Sequence, residues 1–208
     1  MSNPNAYRTQ EIQRIKREND ELKEEIQGLR RFVQALDSLY NATAEFDDDS
    51  ELFSFMRNAL TNAMQLLNAP DGTMALVDDE TDEIVFVIVN GALKGQLTDH
   101  RIPTSEGVAG WVVRNAKPTM VRDVRRDPRF HSGIDDHYSF KTQSIAAAPL
   151  IGTRDGKSKV YGLVEVLNQP GDQPFSEDDM VILKLFCRSV GDALAHIDQM
   201  KSDKEDAD

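Results

Sequence analysis

The residues best suited to chemistry gather in one stretch, FHSGIDDHYSFKTQSI, residues 130–145. His131 and His137 stand six apart there, beside Asp135 and Asp136. Imidazole and carboxylate together suit several divalent ions. A metal centre would need further ligands at fixed spacing, and no such motif follows, so the pattern reads as an exposed polar loop. His100 and His196 are isolated in the sequence. Cys187 is the single cysteine, which excludes an internal disulfide and a cysteine-rich metal centre. It falls in an apolar helical pattern and reads as a buried, inert thiol. No Ser–His–Asp arrangement and no phosphate-cradling glycine loop is present. The residue supply therefore points away from an enzyme and away from a metal.

The elements around this stretch decide what it can be. Residues 123–142 have no clear period and run longer than a plain connection, as functional lids and binding segments do. Upstream, Ser50 reads as an N-cap for a helix whose apolar face is Leu52, Phe53, Met56, Leu60, Met64 and Leu67. Two extended runs, 73–77 and 84–89, flank the turn-rich DDETDE and predict a hairpin. A short strand near 100–102, a compact helix in GVAGWVVRNA and a short strand at 119–121 follow. Runs 144–151 and 160–167 close the sheet, and Ser176 with Asp179 caps a final helix. The expected fold class is α+β: a central antiparallel sheet flanked by helices, with the helices on one face.

The first forty residues follow a different period. With Ile12 at heptad position a, Asn19, Ile26, Val33 and Tyr40 share that position, and Ile15, Leu22, Leu29 and Leu36 fall at d. β-Branched residues at a with leucine at d favour a parallel two-stranded coiled coil, and a buried Asn19 paired with its symmetry mate fixes register. Glu11, Glu18 and Glu25 at g face Lys16, Lys23 and Arg30 at e of a second copy, and all three pairs are attractive. Each contributes only a few tenths of a kcal/mol. A globular amphipathic helix would show a wider stripe of period 3.6. From about residue 32 the pattern gives way to Phe32 and Leu39 at g, so the helix is expected to run on into the following domain.

The net charge is −12 over 208 residues, which disfavours direct nucleic-acid binding. No apolar run approaches the roughly 18 residues that cross a bilayer, and the first residues lack a secretory core. A cytoplasmic protein without a membrane span is expected. Its organisation reads as a disordered N-terminus (1–9), a dimerising helix (10–40), a folded domain (41–200) and an acidic disordered tail (201–208).

Several phrases resemble the GAF domain family over roughly residues 36–200. IPTSEGVAGWVVRNAKPTMVRDVRRDPRF (102–130) is similar to that family's Gly-x-x-Gly-Trp helix, short strand and Asp-Pro-x-Phe sequence. SIAAAPLIG and VYGLVEVLNQ resemble its central strands, and PFSEDDMVIL the start of its closing helix. In this reading Gly107 and Gly110 let a helix approach the sheet, Trp111 is a core residue, Pro118 stops the helix, and Pro149 marks a break in strand pairing.

Within the family, residues 130–145 resemble the lid of cyclic-nucleotide-binding domains of phosphodiesterases and cyclases; Phe130, Asp135, Phe140, Lys141 and Thr142 match. The resemblance implies ligand contacts at Phe130, Ile134, Asp135, Phe140, Thr142 and Ser144, with a cyclic nucleotide as the candidate ligand and no other cofactor. Those domains also carry Asn-Lys followed by Phe and Asp-Glu. Here Asn168, Phe175 and Asp179 are kept, but Gln169 and Met180 replace the lysine and glutamate, so the lid-locking salt bridge does not carry over. Reductases and bilin-binding members of the family depend on pocket cysteines, which this chain lacks. The expected function is a homodimeric sensor that binds a small molecule and signals to a separate downstream protein through its helices or sheet surface. The alternative is a ligand-free dimer acting as a protein-interaction scaffold.

Overall fold

The computed structural model describes residues 4–41, 49–154, 156–172 and 174–205. They fall into two compact units, Met1–Ser38 and Leu39–Asp208. The first is the helix α1 (Pro4–Asn41). It starts earlier than residue 10, taking in part of the expected disordered N-terminus, because Pro4 suits a first helical position where no N–H partner is needed. Ile12, Ile15, Leu22, Ile26, Leu29 and Val33 are 48–62% exposed along it. Asn19 is exposed on the same helix, and the side chains of Leu36 and Tyr40 lie outside the described residues. Arg14 bonds Glu11 at 2.7 Å within the helix, and Lys23 bonds Asp20 at 3.4 Å.

The second unit begins with α2 (Asp49–Leu66), β1 (Asp71–Asp78), β2 (Glu83–Asn90), β3 (Arg101–Pro103) and α3 (Gly107–Asn115). It continues through β4 (Thr119–Val121), α4 (Gly133–Tyr138), β5 (Ile145–Arg154), β6 (Lys157–Leu167) and α5 (Glu177–Glu205). The six strands form one antiparallel sheet in the order β3-β2-β1-β6-β5-β4. α5 takes in residues 201–205 of the expected disordered tail, where no glycine or proline interrupts it, and residues 206–208 lie outside the described residues.

Helices cover both faces of the sheet, not one. On the first face α2 and α5 meet β1 and β5: Gly72 lies against Met64, and the Cys187 thiol donates to the Ala148 carbonyl at 3.6 Å. Burial pushes that thiol's pKa up, in keeping with an inert side chain. On the other face Ala75, Ala147 and Leu163 of the sheet pack with Val108, Ala109 and Val112 of α3. In α2 the buried stripe includes Phe55, Ala59 and Ala63, while Phe53 is 40% exposed and does not join the apolar face expected of it. The stripe is simply rotated, since 3.6 residues per turn places 52, 56, 59, 60 and 63 on one side.

The glycines act differently from expectation. Gly107 takes a left-handed φ of 71° with open space around its Cα. A side chain on Gly110 would strike the Thr104 carbonyl, so it serves the turn before α3 and not the sheet. The close approach lies on the other face, where Gly191 of α5 rests on the Ile151 backbone and Gly152 on Gly191. Gly191→Val is expected to lower unfolding stability by about 2–3 kcal/mol, because backbone on both sides prevents relaxation; urea denaturation measures it. Pro149 keeps its pairing with Leu163 of β6, the β5–β6 register slips just beyond it between Leu150 and Ile151, and on its other edge β5 is paired with β4 only as far as Ala147.

Candidate functional site

The β1–β2 pairing slips between Met74 and Ala75, leaving Val87 as an extra residue in β2. This bulge reverses the alternation, so that Phe86 and Val89 point to the same side of the sheet. Both line a cavity there of about 770 Å³, its open mouth included. Leu93, Leu97, Ile102, Val108 and Ala109 continue the apolar wall.

The polar stretch 130–145 closes the cavity's other side. Phe130, Ile134, Asp135, Phe140 and Thr142 line it together. Ser144 does not; it is buried at the start of β5, lines a separate polar groove with Arg122 and Lys141, and its carbonyl accepts from the Asn168 amide. Asp135 accepts from the Thr142 amide at 2.8 Å and the Thr142 hydroxyl at 2.7 Å, a clasp that folds the lid helix α4 onto its own return. Asn168, at φ 60°, accepts from the Gln143 amide at 2.7 Å and donates to the Lys141 carbonyl at 3.0 Å. The lid is thus tied to the end of β6 by an asparagine. Gln169 turns away and donates to the Leu67 carbonyl at 3.0 Å, and Asp179 forms a reciprocal cap with Ser176.

Other contacts hold the lid's approach and mouth. His131 Nδ1 lies 2.8 Å from Glu106 Oε1, across the entrance. His100, isolated in the sequence, meets the Tyr138 hydroxyl at 3.4 Å. Trp111 is half-buried, not a core residue: it leans on the cluster's edge while the Arg129 guanidinium stacks 4.6 Å from its ring centre. Arg129 also grips Asp127 at 2.6 Å, which holds that carboxyl below its usual range. His137 stacks edge-on against Tyr138, and among the described residues no three His, Cys, Asp or Glu side chains converge as metal ligands.

Two polar residues at the cavity's sheet wall escape the sequence reading. Thr73 of β1 and Glu165 of β6 are directly paired across the strands, 5% and 9% exposed. Burial alone pushes the Glu165 carboxyl up to about 7. A signal does exist: Glu165 is the one charge inside the apolar run YGLVEVL, where a strand buried on both faces should carry none.

The GAF domain family model matches residues 51–194, and the chain belongs to that family. It is 22% identical over 166 residues to the dual 3′,5′-cyclic-AMP and -GMP phosphodiesterase 11 of Drosophila melanogaster, covering 74% of this chain and 11% of that protein. It is 22% identical over 109 residues to phosphodiesterase 11A of Takifugu rubripes, covering 52% of this chain and 12% of that one. The chain therefore matches about a tenth of these relatives' length. Among solved structures, the GAF domain of a Coxiella burnetii phosphoenolpyruvate-protein phosphotransferase superposes with a TM-score of 0.68 at 15% identity, covering 84% of this chain and 96% of that one. The free methionine-R-sulfoxide reductase of Neisseria meningitidis, in complex with its substrate, superposes at 0.59 with 20% identity, covering 78% and 87%. These likenesses carry the fold. The domain is of the regulatory, sensory kind, and no helix among the described residues is long and apolar enough to cross a membrane.

Proposed function

We propose that this chain is a cytoplasmic, homodimeric sensor whose GAF domain takes up a small molecule beneath the 130–145 lid and passes its occupancy to a separate signalling protein. One observation carries the reading: an apolar cavity lies between the sheet and a segment that its own hydrogen bonds fold over it. Apolar walls with few polar groups are the usual make-up of such sites. Phe130, Ile134 and Phe140 would pack on the ligand, with the Asp135–Thr142 clasp setting the lid's closed form. Cyclic nucleotides are the candidates that the phosphodiesterase relatives put forward. The domain acts by binding and not by catalysis.

The exposed apolar seam of α1 supports pairing with a second copy, as a heptad stripe in a single chain has nothing to bury it. Signalling requires that ligand bind two states with different affinity. A second exposed apolar set, Phe53 on α2 with Val181 and Leu185 on α5, offers the GAF unit's own surface for the downstream protein.

Thermal unfolding with a panel of cyclic nucleotides and metabolites tests the reading. At 100 times its dissociation constant a ligand adds about 2.7 kcal/mol, or roughly 5–10 °C for a domain of this size. Phe130→Ala and Phe140→Ala are each expected to weaken that ligand about tenfold or more while the unliganded domain stays folded. Unchanged affinity in both would place the ligand elsewhere.

A further inference from the structure

Four carboxylates line the cavity, and among its described lining residues there is no lysine or arginine. Three of the four are occupied. Asp71 accepts from the Ala92 amide at 2.7 Å, Glu106 meets His131, and Asp135 is held by Thr142. The fourth, Glu165, has no hydrogen-bond or ion-pair partner among the described residues, although only 9% of it is exposed. Beside it the Thr73 hydroxyl is also buried and without a partner. Buried polar groups are paired in nearly all folded proteins, and each exception calls for an explanation. The Thr73 hydroxyl is such an exception, and beside it on the adjacent strand Glu165 turns a carboxyl without a protein partner into the same cavity; one ligand group would complete both.

The chemistry of that group follows from the two side chains. A carboxylate accepts hydrogen bonds and attracts positive charge, and a hydroxyl can accept alongside it. An anionic phosphate would meet four carboxylates and no fixed cation, at short range and away from water, where like charges repel strongly. The lid helix offers little in return, since α4 has only six residues.

We propose that the ligand of this cavity is a small organic cation, with a ring-bearing apolar body under Phe130, Ile134 and Phe140 and ammonium or amidinium N–H groups on Glu165 and Thr73. The proposal rests on the sensor reading above and names its ligand class. Such a cation supplies the counter-charge that the buried carboxylate lacks, and a charge-assisted bond in this setting is about twice as strong as a neutral one.

Proton linkage gives the cation a signature. With its carboxyl pushed up to about 7, Glu165 is mostly protonated in the empty cavity on the acid side of neutrality and must lose its proton to receive a cation. Affinity for the cation therefore rises as pH increases toward 7 and levels off above it. The other titratable groups around the cavity are Asp71 on β1, Glu106 before α3, and His131 and Asp135 in the lid; the lining residues of β2 and β5 are Phe86, Val89, Asn90 and Ile145, none of which titrates. A positive charge on His131, which also lines the cavity, would oppose a cation. The Glu165→Gln variant separates the two.

The experiment is calorimetric titration of the full chain with matched sets of probes. Aromatic amines and amidines (phenethylamine, tryptamine, benzamidine) are compared with their neutral alcohol or amide isosteres, with carboxylate isosteres, and with cyclic AMP and cyclic GMP. The expected result is that a cation binds about ten- to a hundredfold tighter than its neutral isostere, the range of one charged hydrogen bond. Glu165→Gln removes that preference and flattens the rise between pH 5.5 and 7, while Thr73→Val weakens binding several-fold and keeps the pH dependence. Circular dichroism confirms that both variants are folded. If neutral or anionic probes bind as well as the cations, or Glu165→Gln leaves the preference in place, the cation proposal is overturned and the cavity remains a sensor site. If no probe of any charge binds, both readings fall.

Discussion

Without ligand, the native chain is expected to lose about 3 kcal/mol of unfolding stability relative to Glu165→Gln between pH 4.5 and pH 8. The cause is the carboxyl at the sheet wall of the cavity. In the unfolded chain it titrates near 4.5, and in the folded chain near 7. Between those values the folded state holds a proton that the unfolded state has released, so stability falls as pH rises through the window. Below 4.5 the contribution is fully present; above about 7 it has gone, and the folded chain carries a buried, unpaired anion. The substituted glutamine keeps the shape and stays neutral at every pH, so the variant should match the native chain near pH 4.5 and exceed it near pH 8. Urea melts at five or six pH values measure both curves. Parallel curves would mean that Glu165 is solvated or paired in the empty protein.

Leu22→Asp is expected to make the chain monomeric at ~10–100 µM, and the native chain is expected to sediment there as a dimer. A symmetric pair places two aspartates against each other in the apolar seam of α1, where unpaired charge is costly. Leu22 is 56% exposed in the single chain, so the substitution removes no buried packing there and costs the helix only a few tenths of a kcal/mol in propensity. The domain, which begins at Leu39 as its own compact unit, should still melt cooperatively. Asn19→Leu is the companion variant, expected to give a more stable assembly that is less strictly dimeric. Analytical ultracentrifugation reads all three, and a native chain that sediments as a monomer at micromolar concentration contradicts the seam.

The strand runs, the 3.5 period of α1 and the capping residues Ser176 and Asp179 are legible in the sequence because each is a local pattern. The lid is legible as a long segment without period, and five of the six residues assigned to it from family resemblance share one cavity wall. What escapes depends on distant chain. Gly191 and Gly152 face each other across an α5–β5 crossing that no local pattern announces. The β2 bulge at Val87 breaks a regular alternation, so parity counted along the strand puts Phe86 and Val89 on opposite faces. Trp111 invites a core assignment by its size, yet Arg129 covers its outer surface instead of more core. Ser144 sits next to lid residues in sequence, but the strand pleat turns it away. Glu165 and Thr73 become a pair only when β1 and β6 align.

If the cavity beneath the lid takes a small molecule, Trp111 is placed to report it. It is the single tryptophan, it packs on the cluster that forms the cavity wall, and Arg129 from the lid's approach lies over its ring. The measurement is Trp111 emission during titration with cationic, neutral and anionic probes, with the unfolding midpoint followed in the same samples. A saturable change in emission with one probe, accompanied by a rise of roughly 5–10 °C in the midpoint, is the predicted result. Flat emission and a fixed midpoint across every class of probe would contradict small-molecule binding beneath the lid.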